Sequence, residues 1–284
     1  MQDFIPGHYP GVSNDDYHNG PGVSKSHLDK MAVSPAFYRF HYRKTDEEKK
    51  EVVEEDGASD KNFGTAFHTA VLEPDLLSST VVIAPTSINK RTKVGKQEFA
   101  DFMAQNKHKV VVDVGEHDLL LKMRDAVHRH PVARHFARAD GGMIENSFYG
   151  YDPKNGLLRK CRPDKIIESG ELIIDLKSTK DASPRGFALD ATNYTYYLQP
   201  PWYLDTMELA VGWTAENFVF LAVEKEPPFQ IGIYYAQQHD IELARAECQR
   251  LADLIAECDA SGYWYDYTKS EAMPLDLPPW TWRK

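Results

Sequence analysis

Apolar residues along the chain follow two periods. From residue 143 onward the pattern is mostly that of strands. Leu157 to Ile167 and Leu172 to Ser178 read as two strands joined by the tight turn Glu168-Ser-Gly-Glu171, and 143 to 151 reads as a strand before them. Phe218-Val-Phe-Leu-Ala-Val223 is an unbroken apolar run, the mark of a strand buried on both faces within 217 to 224, and 229 to 236 follows as another. Helical spacing predicts 196 to 212 and 238 to 258. Upstream, Asn62 to Leu72 sets Phe63, Phe67, Ala70 and Val71 on one stripe that stops at Pro74. Further helices are predicted over 24 to 31, 35 to 42, 97 to 106 and 116 to 130, with short strands at 81 to 84 and 110 to 112. Residues 1 to 21, rich in glycine and proline, read as an extended surface segment. Helix, three strands, helix, two strands and a final helix make an α/β fold, a mixed central sheet flanked by helices with an N-terminal helical elaboration.

The densest chemistry lies in the paired strands. Pro163-Asp164 is followed after ten residues by Asp175-Leu176-Lys177. Asp175 and Lys177 are two apart and share a strand face, and an antiparallel partner sets Asp164 beside Asp175. Two carboxylates so placed repel each other. A hard divalent cation relieves that repulsion, and an adjacent ammonium can orient a water or stabilise charge on a phosphate. An Asp-Leu-Lys strand end alone is more often a solvated edge, so the reading needs companions. His68, beside the 62 to 72 stripe, is either a ligand or a satisfied core histidine. Gln199 and Tyr203, four apart, would share one helix face and can hydrogen-bond a phosphate or a water; Tyr203 is equally readable as a core aromatic. Pro200-Pro201 confines Gln199 to the very start of its helix. Glu145 reads as either a further acidic group or an exposed strand residue. His128, His130 and His135 flank Pro131 without carboxylates at ligand spacing and are set aside as a metal site.

In order along the chain, Gly64-Thr-Ala-Phe-His68, Cys161-Arg-Pro-Asp164-Lys-Ile-Ile167, Ile174-Asp175-Leu-Lys177 and Gln199-x-x-x-Tyr203 resemble the RecB-like branch of the PD-(D/E)xK nuclease superfamily, and within it the RecE (exonuclease VIII) type of nuclease domain found on prophages. Gly11-Val-Ser-Asn14, Gly20-Pro-Gly-Val-Ser-Lys-Ser-His-Leu28, Ser34-Pro-Ala36, Leu72-Glu-Pro74, Ala84-Pro85, Asn89-Lys-Arg-Thr92, Gly95-Lys96 and Leu277-Pro-Pro-Trp280 extend the likeness over nearly the whole chain. It implies a restriction-endonuclease-like sheet. It also implies metal ligation by His68, Asp164, Asp175 and the main-chain carbonyl of Leu176, with Lys177 in the water-activating or charge-stabilising role and Gln199 and Tyr203 completing the site. The activity implied is a Mg²⁺-dependent exonuclease, with Mn²⁺ able to substitute, which degrades linear double-stranded DNA from its 5′ ends and leaves 3′ overhangs. A homo-tetramer ring and a RecT-type single-strand annealing partner follow from the same resemblance. Other readings are an endonuclease, a 3′ to 5′ exonuclease, or a catalytically silent module that binds DNA ends.

The 284 residues read as one domain: an elaboration over 1 to 61 with a charged loop at 44 to 61, a core over 62 to 262, and an aromatic, proline-rich tail over 263 to 284 that packs on its own domain or on another subunit. A formal charge of −10 argues against a protein that coats nucleic acid, so DNA contact must be local. The candidates are Arg91, Lys93 and Lys96, a phosphate-contacting arm or else a solvated face, and Lys25 at a helix start. Three scattered cysteines, the lack of a leader-like start and the lack of a membrane-length apolar run fit the cytoplasm and no membrane partner. No phosphate-loop motif or internal repeat occurs.

Overall fold

The computed structural model describes residues 5–45, 48, 58–138, 142–167, 171–269 and 271–282. Most of the charged stretch at 44 to 61, and the turn expected at 168 to 171 except its last residue, lie outside them.

In chain order the helices are α1 (Asn14–Asn19), α2 (Lys25–Val33), α3 (Pro35–Tyr42), α4 (Ala58–Leu72), α5 (Leu77–Thr80), α6 (Lys93–Gln105), α7 (Val114–Arg129), α8 (Ala133–Arg138), α9 (Pro184–Asn193), α10 (Gln199–Val211) and α11 (Gln238–Ser261). The strands are β1 (Gly7–Tyr9), β2 (Val81–Ile83), β3 (Val110–Val112), β4 (Met143–Ile144), β5 (Ser147–Tyr151), β6 (Leu158–Cys161), β7 (Lys165–Ile167), β8 (Leu172–Thr179), β9 (Asn217–Glu224) and β10 (Ile231–Tyr235).

The central sheet has the order β10-β9-β8-β7-β4 and is mixed: β8 and β9 run parallel, and the other neighbours are antiparallel. Alternation along its inner strands feeds two cores. Ile173, Phe218, Phe220 and Ala222 pack toward Trp202 and Met207 of α10 and Ile241, Cys248 and Leu251 of α11. Ile174, Leu176, Val219, Leu221 and Val223 pack toward Phe67 and Val71 of α4 and Leu120, Met123 and Val127 of α7. Helices on both faces explain why β8 and β9 read as nearly continuous apolar runs. The expected mixed sheet flanked by helices is therefore the fold observed.

Two expected strands are each divided. Residues 143 to 151 split into β4, in the central sheet, and β5, in a three-stranded sheet of order β1-β5-β6. The break falls at Glu145, whose φ of 47° lies in the left-handed region that ends a strand. Residues 157 to 167 likewise split into β6 and β7 around Arg162-Pro163-Asp164, where proline has no N–H for the ladder. The chain thus crosses twice between the two sheets. Gly150 of β5 lies so close to α10 that a Cβ there would stand 2.7 Å from Leu209 Cβ and 2.8 Å from the Leu209 carbonyl carbon.

Other differences are smaller. The extended N-terminal segment contains β1 and the short α1. The helix expected from residue 97 begins at Lys93, because Thr92 caps it by accepting a hydrogen bond from the Gly95 N–H at 3.0 Å. Helix α9 was not anticipated, although Ser183 at its N-cap and Pro184 in its first turn are a recognised start signal. Of the tail, Trp264 stacks on Tyr38 with ring centroids 5.5 Å apart, whereas Leu275, Trp280 and Trp282 are exposed.

Candidate functional site

Strand β7 pairs with β8 only as far as Lys165 opposite Ile174, so beyond Ile174 one edge of β8 has no strand neighbour. The next step of that register sets Asp164 opposite Asp175. The open edge is filled by side chains: Asp164 Oδ2 accepts the Leu176 N–H at 2.7 Å, and His68 Nε2 meets the Leu176 carbonyl oxygen at 2.9 Å. His68 Nδ1 lies 3.5 Å from Asp164 Oδ1. Two backbone groups that a further strand would have taken are held by an acid from the sheet crossing and an imidazole from α4.

Asp175 points to the face of β8 opposite Leu176, the face covered by α10. It is buried, its Oδ1 accepts from Gln199 Nε2 at 2.8 Å, and its Oδ2 is ion-paired with the Lys177 ammonium. That oxygen still receives no well-directed hydrogen bond. Gln199 is the first residue of α10, directly before the two prolines, and the helix start does align it with Tyr203: Gln199 Nε2 lies 3.3 Å from the Tyr203 hydroxyl. Tyr203 packs edge-on against Phe218 as well, so its ring belongs to the core and its hydroxyl to the site.

The electrostatics follow from this crowding. Burial, opposed by His68 and reinforced by Asp175, raises the Asp164 carboxyl to about 6. Burial would lower the Lys177 ammonium, but Asp175 and Asp164 outweigh it and hold the group above its usual value. Burial pushes the Tyr203 phenol well above its ordinary range, with Asp175 and Asp164 adding to the shift.

Among the described residues no three His, Cys, Asp or Glu side chains form a ready-made cage. The donor set at the edge of β8 depends instead on a main-chain carbonyl, and Asp175 is turned toward Lys177 and Gln199. The set nevertheless fits a small hard cation. Neighbouring ligands of an octahedral Mg²⁺ stand about 2.9 Å apart, and His68 Nε2 and the Leu176 oxygen, here hydrogen-bonded, have that separation; Nε2 would ligate in the tautomer that carries its hydrogen on Nδ1. Asp164 and the buried, incompletely satisfied Asp175 Oδ2 supply the anionic oxygens. The carboxylate and carbonyl oxygens suit Mg²⁺ or Mn²⁺, and the single imidazole is the softer donor among them.

The remaining expectations fare differently. Glu145 is in no strand; its backbone N–H donates to the Asp164 carbonyl at 3.1 Å, so it buttresses the crossing that carries Asp164. Lys25 is not a free phosphate contact. It is buried, with its ammonium bonded to the Tyr194 carbonyl at 2.9 Å and Thr195 Oγ1 at 3.2 Å and paired with Asp29 at 3.0 Å, and burial lowers its pKa. Lys93 and Lys96 lie in the first turn of α6 and not on an arm, and with Arg91 they are exposed. His128 bonds the Val71 carbonyl at 3.0 Å, and His130 Nδ1 accepts the Ala133 N–H at 3.0 Å, which leaves both as structural residues.

One neighbour was not foreseen. Tyr196 lies with its ring centroid 4.9 Å from Lys177 Nζ and 5.5 Å from Lys25 Nζ, an aromatic face shared by two ammonium groups. The only signal in the sequence is the tyrosine-rich run Tyr194-Thr-Tyr-Tyr197 just before Gln199.

A search of curated proteins returns no match. Among solved structures the chain is similar to a protein of Eubacterium rectale described as a "Putative exonuclease", at 12% identity and a TM-score of 0.60, covering 95% of this chain and 97% of that one. That likeness is one of fold. A structure of SSO0001 aligns at 14% identity over 69% of this chain and 85% of its own, with a TM-score of 0.32, too low to bear on the fold. A family model matches residues 26–272, a span that includes every donor at the edge of β8, and on that match the chain belongs to the PDDEXK-like domains of unknown function, DUF3799.

Proposed function

We propose that the chain is a divalent-cation-dependent nuclease that hydrolyses phosphodiester bonds in DNA. The observation that carries this reading is the convergence at one strand edge of Asp164, His68 and the Leu176 carbonyl, with Asp175 and Lys177 on the same strand. Asp164, Asp175, His68 and the Leu176 carbonyl would hold the cation. A bound Mg²⁺ or Mn²⁺ supplies charge neutralisation and Lewis acidity toward the phosphate. Gln199 fixes one oxygen of Asp175 and leaves the other beside Lys177, where it could also help hold the cation. The Lys177 ammonium is held charged by the two acids, so it can donate to the attacking water or to phosphate oxygens as charge builds on them.

The finer reading rests on the resemblance to RecE-type domains: an exonuclease acting on linear duplex DNA from the 5′ ends, leaving 3′ overhangs for a RecT-type annealing protein, assembled as a homo-tetramer ring from single-domain chains. The test is digestion of linear and closed circular duplexes with Mg²⁺, with and without chelator. Linear 5′-labelled DNA should release labelled mononucleotide early, only with metal, and circles should stay intact. Nicked circles would instead indicate an endonuclease. The variant D175A should lose cleavage while retaining DNA binding; cleavage at the wild-type rate would dismiss the site.

A further inference from the structure

A cleft of about 800 Å³ is walled in part by α4, which carries His68, and by β4 and β7, which flank the crossing at Glu145 and Asp164. Its walls include Leu72, one turn beyond His68 on α4; Ile144, next to Glu145; and Lys165, next to Asp164. It is also lined by Arg124 and Arg129 of α7 and Arg138 of α8. In a chain of net charge −10 such a gathering of arginines is unusual. Asp75 and Asp125 also line the cleft, but Asp125 is held by Arg124 at 2.7 Å. Arg129 and Arg138 are exposed and form no ion pair with a described residue. Positive charge converges there: besides burial, Arg138 and Arg124 hold the His128 imidazole below its usual pKa.

We propose that this cleft binds the phosphodiester backbone of DNA, with Arg129 and Arg138 as direct phosphate contacts. The proposal rests on the nuclease reading and deepens it by assigning where an acidic protein grips a polyanion. Fully charged guanidiniums facing one cleft match phosphate oxygens in geometry and sign. Lys165, on the cleft wall, directly follows Asp164 in the chain, so a DNA strand lying in the cleft would pass near the crossing that carries that acid. Binding of this kind is sequence-independent and releases counterions.

The experiment measures affinity of the whole chain for a fluorescently labelled linear duplex in Ca²⁺ across a series of KCl concentrations. Each phosphate contact contributes roughly 0.9 to the slope of log affinity against log salt. The double variant R129A/R138A should bind at least about tenfold more weakly at low salt, with the slope reduced by roughly 1.8. R129K/R138K should keep most of the slope. The rival surface is tested by R91A/K93A/K96A, at the start of α6 on a solvated face, which should keep all of it. An unchanged slope in folded R129A/R138A overturns the proposal, as does a slope lost only in the α6 variant. If the wild type shows the full slope, R129A/R138A loses it, and Mg²⁺ supports no cleavage, the nuclease reading fails while the cleft stands.

Discussion

Asp164 sits where burial and a second acid favour its protonated form. Its carboxyl is raised to about 6 from an unfolded value near 3.8. The folded state therefore binds that proton more tightly than the unfolded one, and the charge costs stability above pH 6, a cost relieved as pH falls through 6 toward 4. D164N should then be more stable than wild type at pH 8 in metal-free buffer, by on the order of 1–3 kcal/mol. The gain should vanish by about pH 4, as checked by thermal denaturation across pH. Added Mg²⁺ or Mn²⁺ should raise the melting temperature of the wild type and not that of the variant. Gln199 acts through Asp175, donating to Oδ1 at 2.8 Å. Q199A should lower the cleavage rate by about 10–100-fold, the usual cost of losing a partner that orients a ligand, with DNA affinity unchanged. Y203F removes only a 3.3 Å contact and should cost less than about tenfold. Steady-state kinetics on a linear duplex checks both.

Helix α10 presents Gln199 and Tyr203 because it is pressed against the small sheet, and Gly150 is what permits the approach. A Cβ at that position would meet the backbone of Leu209 and Ala210 within 3 Å, atoms that cannot swing aside. G150A should destabilise the fold by about 1–3 kcal/mol, measured by urea unfolding, and depress cleavage by shifting α10. Elements buried on both faces, such as β9 and β8, were legible because burial leaves a continuous apolar record. Caps were legible in principle: Thr92 and Ser183 are ordinary N-cap residues, and reading them would have set the start of α6 and revealed α9. The crossings at Glu145 and Pro163 were not, since a strand that changes sheets keeps its alternation, and only a left-handed φ or a missing N–H marks the change. At the site, the acid pair, Lys177 and the Gln199–Tyr203 alignment followed from period and register. The fate of Lys25 did not, because Tyr194 and Thr195 are distant in sequence, and no local pattern announces that an ammonium has found two partners about 170 residues away.

At the scale of the molecule, charge is segregated. Acidic residues outnumber basic ones by 43 to 33, yet three arginines line a single cleft. No helix among the described residues is long and apolar enough to cross a membrane. The two sheets are joined by α10, whose Trp202 indole donates to the Lys160 carbonyl at 3.1 Å. Lys160 itself is a buried ammonium that donates to the carbonyls of Tyr17 at 2.6 Å and Gly20 at 2.8 Å, and Arg162 donates to the Val12 carbonyl. A fragment trimmed to the span of the family match, 26–272, would discard β1, α1 and all three of those acceptors. Lys160 would lose both carbonyl acceptors and Arg162 would keep only Ser147, and the buried side chains under the discarded segment would be opened to water. Such a fragment should melt far below the full chain or fail to stay in solution, a comparison that calorimetry or soluble yield decides. The segment from Val12 to Gly20 is thus the plug that lets a basic interior exist behind an acid-built centre, and any shortened version of this protein intended for crystals or assays has to begin ahead of Val12.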